Sequence, residues 1–135
     1  MRLLERFYPD TYLDSTYEID FEALYKEGYR GVIFDIDNTL VPHGKPADDR
    51  SIALFQRLHG LGYKTMLLSN NKEPRVKMFH DGVHSPYIYK AGKPSVKNYK
   101  KAMEQMKTTT QNTLFVGDQL FTDIWGAKKA GIRTI

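Results

Sequence analysis

Cysteine is absent from this 135-residue chain, and with it go disulfides, thiolate nucleophiles and cysteine-bound zinc. Long apolar runs are missing too. No stretch approaches the ~18 residues that a membrane span needs, and Met1-Arg2-Leu3-Leu4-Glu5 has no signal-peptide core. The expected location is therefore the cytoplasm, with peripheral contact at a membrane surface left open. Lys and Arg are scattered along the chain, so a formal charge of +4 suits an anionic substrate, and no nucleic-acid partner is expected. His43, His59, His80 and His84 lack the paired spacing of metal ligands. No internal repeat or low-complexity segment is present.

What remains is ordinary globular usage, 41% apolar and 27% charged, enough for one compact domain. Residues 1–29 stand apart as an aromatic-rich leader, with Phe7, Tyr8, Tyr12, Tyr17, Phe21, Tyr25 and Tyr29, and a helix expected from Asp20 to about Glu27. Packing of this leader on the core is favoured over membrane docking, because Glu5, Asp10, Asp14 and Glu18 would be repelled by anionic lipid. Residues 30–135 form the main domain.

From Gly31 onward short apolar runs alternate with helical periods. Strands are expected at Val32–Phe34, Thr65–Leu68, Tyr87–Tyr89, Leu114–Val116 and Ile132–Ile135. Between them come a helix after Asp48 carrying Ile52, Phe55, Leu58 and Leu61, and one opened by Pro74. A third has Pro94 at its first position and Val96, Tyr99, Met103 and Met106 on one face; the last runs from about Leu120 to Ala130 and stops at Gly131. Such alternation implies an α/β fold whose parallel sheet of about five strands is covered on both faces. Lys97, Lys100, Lys101 and Lys107 would form the wet face of the third helix, a face that could also rest on anionic lipid.

Polar residues follow each strand. Asp35 and Asp37 come after the first, Ser69-Asn70-Asn71 after the second, Lys93 shortly past the third, and Gly117-Asp118 after the fourth. In open parallel sheets the ligand crevice lies outside the carboxyl ends of the strands, so these positions should converge. Two carboxylates two residues apart at one strand tip repel each other, and a divalent cation is the usual remedy. An ionised carboxylate beside such a cation can also attack phosphorus. Ser69 can donate a hydroxyl, the Asn70 and Asn71 amides at the head of a helix can face an anion, and Lys93 brings positive charge. Asp118 and Asp123 add oxygen ligands of the kind Mg²⁺ prefers.

Asp35-x-Asp37-x-Thr39 after a hydrophobic strand, Ser69, Lys93-Pro94 and Gly117-Asp118-x-x-x-x-Asp123, in that order, resemble the four motifs of the haloacid dehalogenase (HAD) superfamily of phosphohydrolases. The resemblance implies a Rossmannoid three-layer α/β/α sandwich and a phosphorylated substrate. It also implies that Asp35 is nucleophile and Mg²⁺ ligand, and that Asp37 is general acid and then base while lending its backbone carbonyl to the metal. Thr39 would support the turn, Ser69, Asn70 and Lys93 would hold phosphate, Asp118 would bind Mg²⁺, and Asp123 would act through water or by orienting Lys93. An acid at Asp37 is similar to phosphatases rather than to dehalogenases or ion-pumping ATPases.

The 34 positions from Asp35 to Ser69 leave no room for a cap domain, as in the capless subfamily IIIA. The leader with Tyr8-Pro9-Asp10, the Asp35–Val41 and Ser69-Asn70-Asn71 segments and the Tyr87–Pro94 and Gly117–Asp123 segments resemble the bacterial YqeG-type proteins. These are similar to mitochondrial phosphatidylglycerophosphate phosphatases, which suggests a lipid phosphate. Two alternatives stand beside this reading: a catalytically idle phosphate-binding or scaffold protein on the same fold, and a phosphatase of nucleic-acid ends or small metabolites.

Overall fold

The structure, a computed structural model, describes residues 15–90, 96–117 and 125–135. Its centre is β1 (Gly31–Phe34), four residues with no exposed side chain, flanked by β2 (Lys64–Leu68) and β4 (Thr113–Val116) in parallel register. β3 (Tyr87–Ile88) and β5 (Arg133–Thr134) complete the edges, giving the order β3-β2-β1-β4-β5. The chain winds outward from β1 to β3, then restarts on the other side at β4. The strand order therefore reverses between β1 and β4, where a sheet of this kind opens its crevice.

Successive strand residues face opposite sides, and the core divides accordingly. Val32, Phe34, Leu67, Leu114 and Val116 pack with α1 (Phe21–Lys26), α2 (Asp49–Leu61) and α3 (Glu73–Val83). Ile33, Met66, Leu68 and Phe115 pack with α4 (Val96–Met106) and α5 (Trp125–Lys129). Both faces of the sheet are thus buried, which is why its strands read as unbroken apolar runs. The arrangement is a three-layer α/β/α sandwich, as the resemblance implies, and no cap domain is evident among the described residues.

Helix boundaries follow local chemistry. The Asp20 side chain accepts from Ala23 N–H and starts α1; Asp48 and Ser51 form a reciprocal capping box at the head of α2. Along α2 the buried face is Ser51, Leu54, Phe55 and Leu58, with Ile52 and Leu61 at its margin. The expected three-residue spacing drifts off a 3.6-residue helix, and so missed Leu54. α3 begins at Glu73 with Pro74 second, two residues beyond the Ser69-Asn70-Asn71 turn. On α4 the expected core face stands, with Tyr99, Ala102, Met103 and Met106 buried and Lys100, Lys101 and Lys107 exposed. Pro94 and residues 120–124 of the expected last helix lie outside the described residues.

The described part of the leader is packed. Ile19, Phe21 and Leu24 are buried in the core, and Tyr63 donates its hydroxyl to the Phe21 carbonyl at 2.6 Å. Just before them, a 3-10 turn at Thr16–Glu18 reaches the loop after β1: Thr16 Oγ1 donates to the Thr39 carbonyl at 2.7 Å and the Tyr17 hydroxyl to the Leu40 carbonyl at 2.8 Å. Phe7, Tyr8 and Tyr12 lie outside the described residues. No helix among the described residues is long and apolar enough to cross a membrane.

Candidate active site

Asp35 is the first residue beyond β1, at the strand-order reversal, and is only 8% exposed. Its N–H donates to the Val116 carbonyl at 3.0 Å, so the pairing with β4 continues one residue past the strand and brings Asp35 beside Gly117. Ser69 occupies the matching place beyond β2. It is 1% exposed, and its N–H donates to the Ile88 carbonyl of β3. The Lys90 N–H then donates to the Asn71 carbonyl, joining the loops after β2 and β3. Asp35, Ser69 and Gly117 therefore share one end of the sheet. Lys93, Asp118 and Asp123 lie outside the described residues.

The loop after β1 is a tight, anchored turn. Asn38 takes a left-handed φ of 61° and its N–H donates to the Val41 carbonyl, while Ile36, Leu40 and Val41 sink into the core. Thr39 contributes through its backbone: its N–H reaches the Ile36 carbonyl and its own carbonyl accepts from Thr16, whereas its buried hydroxyl has no partner among the described residues. This turn aims Asp37 toward the start of α3.

There Asp37 meets residues that the sequence reading did not single out for it. Its Oδ1 accepts from the Gly44 N–H at 2.8 Å and from Arg75 through Nη2 at 2.7 Å and Nε at 3.3 Å; its Oδ2 accepts from Asn71 Nδ2 at 2.7 Å. Gly44 can turn its amide inward because its φ of 78° is open to glycine. The Asp37 and Arg75 side chains are 13% and 15% exposed. His43 approaches Oδ1 only to 3.8 Å and is itself 79% exposed.

Partial burial pushes the Asp37 carboxyl upward, but the Gly44 amide, the Arg75 hydrogen bond and charge, and His43 outweigh it. The group lies below its ordinary value. Every contact so far named favours the charged form.

Two expectations change here. The Asn71 N–H is directed to Ser69 Oγ at 3.1 Å, within a local turn, so it does not present itself to an anion as a helix-head amide would; the Asn71 side chain holds Asp37 instead. Asn70 is exposed and lies ahead of the helix rather than on it. The Ser69 Oγ, having accepted that bond, keeps its own O–H to donate. Asn71 precedes the helix and Arg75 lies in its first turn, so no helical spacing links them and only the fold brings both to Asp37.

As a metal site, the described part offers hard oxygen donors in the Asp35 carboxylate and the Asp37 backbone carbonyl, since the Ile36, Thr39, Leu40 and Val41 carbonyls already accept hydrogen bonds. That donor type suits a divalent cation such as Mg²⁺. Among the described residues no group of three or more His, Asp or Glu side chains gathers to hold one. The Asp37 carboxylate is engaged by Arg75, Asn71 and Gly44, which leaves its carbonyl as the donor it can lend. A cavity of about 520 Å³ lies at the opposite end of β2, lined by His59, Lys64, Thr65, Gln105 and Met106 among others, away from these carboxylates.

The comparisons with known proteins bear on the family and the fold. The family profile of haloacid dehalogenase-like hydrolases matches residues 43–131. The Bacillus subtilis protein named "Probable phosphatase YqeG" is 37% identical over 135 residues, covering 98% of this chain and 78% of its own length. Phosphatidylglycerophosphate phosphatase 1 of Arabidopsis thaliana, chloroplastic/mitochondrial, is 25% identical over 87% of this chain, which spans 36% of that protein. Among solved structures, a hydrolase from Streptococcus pneumoniae superposes with a TM-score of 0.62 over 79% of this chain and 91% of its own, at 13% identity. With that profile over more than half of the chain, and a relative 37% identical along almost all of this chain, the chain belongs to the haloacid dehalogenase-like hydrolases, on the phosphatase side of that family.

Proposed function

We propose that the protein is a Mg²⁺-dependent phosphatase that cleaves phosphate monoesters through an aspartyl-phosphate on Asp35, and that its substrate is phosphatidylglycerophosphate. The observation that carries the reading is the pair at the tip of β1: a nearly buried Asp35 at the strand-order reversal, and two residues later an Asp37 held by three separate donors. The layout suits two different jobs for two like residues. Asp35 lies where a ligand enters, and Asp37 is turned aside and oriented.

In this mechanism an Asp35 oxygen attacks phosphorus, and the bond from phosphorus to the leaving oxygen breaks as Asp37 delivers a proton to that oxygen. Asp37 then takes a proton from water as the water oxygen attacks phosphorus, the Asp35–phosphorus bond breaks, and inorganic phosphate leaves. The donors around Asp37 favour its charged, base form. For the first half-reaction Asp37 must carry a proton, so one of its two oxygens has to accept that proton alongside its donors. Ser69, Asn70 and Lys93 would hold the phosphate oxygens. Asp35, the Asp37 carbonyl and Asp118 would hold Mg²⁺, which when bound neutralises charge on the phosphoryl group; Thr39 and Asp123 would support these ligands.

The lipid substrate is supported by the similarity to the Arabidopsis phosphatase and by the uncapped site, whose crevice can admit a bulky headgroup. A cytoplasmic enzyme meeting the membrane only peripherally fits that substrate. Hydrolysis of an aryl phosphate should require Mg²⁺ and vanish in Asp35→Asn. Phosphatidylglycerophosphate should be preferred over nucleotides, nucleic-acid 5′ and 3′ phosphates and sugar phosphates. Undiminished turnover in Asp35→Asn would remove the nucleophile, and a sugar phosphate as best substrate would remove the lipid assignment.

A further inference from the structure

We propose that Arg75 is a positioning residue that fixes the orientation of the Asp37 carboxylate for proton transfer. The inference rests on the acid–base role given to Asp37 above. Arg75 lies in the first turn of α3, 38 residues from Asp37, so it ties a helix to the strand-tip turn. Both side chains are largely buried, and a charge-assisted bond of 2.7 Å in such a place is stronger than its surface counterpart.

The way the bonds are shared out carries the argument. A guanidinium commonly grips both oxygens of a carboxylate in parallel. Here Nε and Nη2 both address Oδ1, and Nη1 is buried without a partner among the described residues. The second oxygen has been given to Asn71. Oδ1, with the Gly44 N–H and Arg75, has both of its acceptor directions filled; Oδ2, with Asn71 alone, keeps one open. Arg75 therefore does more than neutralise charge. By anchoring Oδ1 it sets the plane of the carboxylate and leaves Oδ2 as the atom able to exchange a proton with the leaving group and with water. With Nη1 unpartnered among the described residues, the hydrogen bonds of the guanidinium go to the Asp37 carboxylate, as expected of a side chain placed for the group it holds.

A double-mutant cycle tests this. Release of 4-nitrophenol from 4-nitrophenyl phosphate with Mg²⁺ is followed in single turnover and at steady state for the wild type, Arg75→Met, Asp37→Asn and the double variant. Arg75→Met should lower kcat by about 100-fold with KM little changed, and Arg75→Lys should recover part of that loss. In the Asp37→Asn background Arg75→Met should cost nothing further, because the residue it serves is already gone. An equal loss in that background, or a raised KM with kcat retained, would show that Arg75 binds substrate itself and would overturn the proposal.

The crystal structure of Arg75→Met gives a readout that needs no turnover. The Asp37 carboxylate should rotate out of its present plane. A carboxylate that stays in place on Gly44 and Asn71 alone would overturn the proposal even if kcat had fallen. A wild-type protein that hydrolyses no phosphate monoester would instead refute the phosphatase reading, and the crystal structure would still decide whether Arg75 positions Asp37.

Discussion

The two helical layers are built differently. The layer formed by α1, α2 and α3 is a chain of aromatic rings: Phe21 and Phe34 have centroids 6.1 Å apart, Phe34 and Phe55 5.1 Å, and Phe55 and Phe79 6.3 Å. The opposite layer, α4 and α5, closes on small and flexible residues. Ala102, Ala127 and the methionines Met103 and Met106 surround one ring pair, Tyr99 with Phe115 at 5.3 Å. The first layer is also the one that grips the strand-tip turn, through Thr16, Tyr17, Asn71 and Arg75. Bulky rings fill volume between elements at ordinary separation, whereas small residues let α5 lie almost on α4. A rigid aromatic layer suits the side that must hold Asp37 still.

The largest effect should come from breaking the ring chain. Phe55→Ala should cost about 3–5 kcal/mol in urea denaturation, and Met103→Ala in the other layer about 2 kcal/mol. Equal losses would remove the distinction. Next is the close approach. A Cβ on Gly126 would stand 2.7 Å from the buried Tyr99 ring, so Gly126→Ala should destabilise by about 1–3 kcal/mol, whereas Gly60→Ala in α2, with nothing within 4 Å, should be neutral or stabilise by about 0.5 kcal/mol. A tolerated Gly126→Ala would mean that α4 and α5 are not in contact there.

Smaller still, Asp48→Ala should lose about 1 kcal/mol by opening the capping box of α2. Full retention of the thermal midpoint would show the box to be dispensable. Last, the folded-state pKa of Asp37 lies below its ordinary value of 3.8, so its contribution is complete above that value and fades as pH falls through the lower, folded one. The stability gap between wild type and Asp37→Asn should therefore be constant near neutrality and close in acid. A gap that does not change with pH would mean that the charged contacts to Asp37 contribute nothing.

Strand and helix order could be read from the chain because each strand is a short apolar run and each helix repeats at nearly its own period. Asp35 and Ser69 were visible for the same reason, since a residue directly after a buried strand has its place given by the strand; Asp37, two residues further on, is placed by the turn. Arg75 was not visible. It stands in an ordinary polar stretch, Glu73-Pro74-Arg75, and only the packing of α3 against α2 and β3 turns it toward Asp37 rather than solvent. Asn71 reads from sequence as a helix-head residue whose amide faces an anion; in the fold that amide goes to Ser69 and the side chain to Asp37.

Local pattern was thus enough for the parallel sheet, its two covered faces and the strand tip that carries Asp35, since period and strand ends are properties of neighbouring residues. Which donors surround Asp37, and which of its oxygens stays open, depended on segments 7, 34 and 38 residues away meeting at one carboxylate. Hydrogen bonds act over about 3 Å, and no pattern along the chain encodes distances that short between residues that far apart.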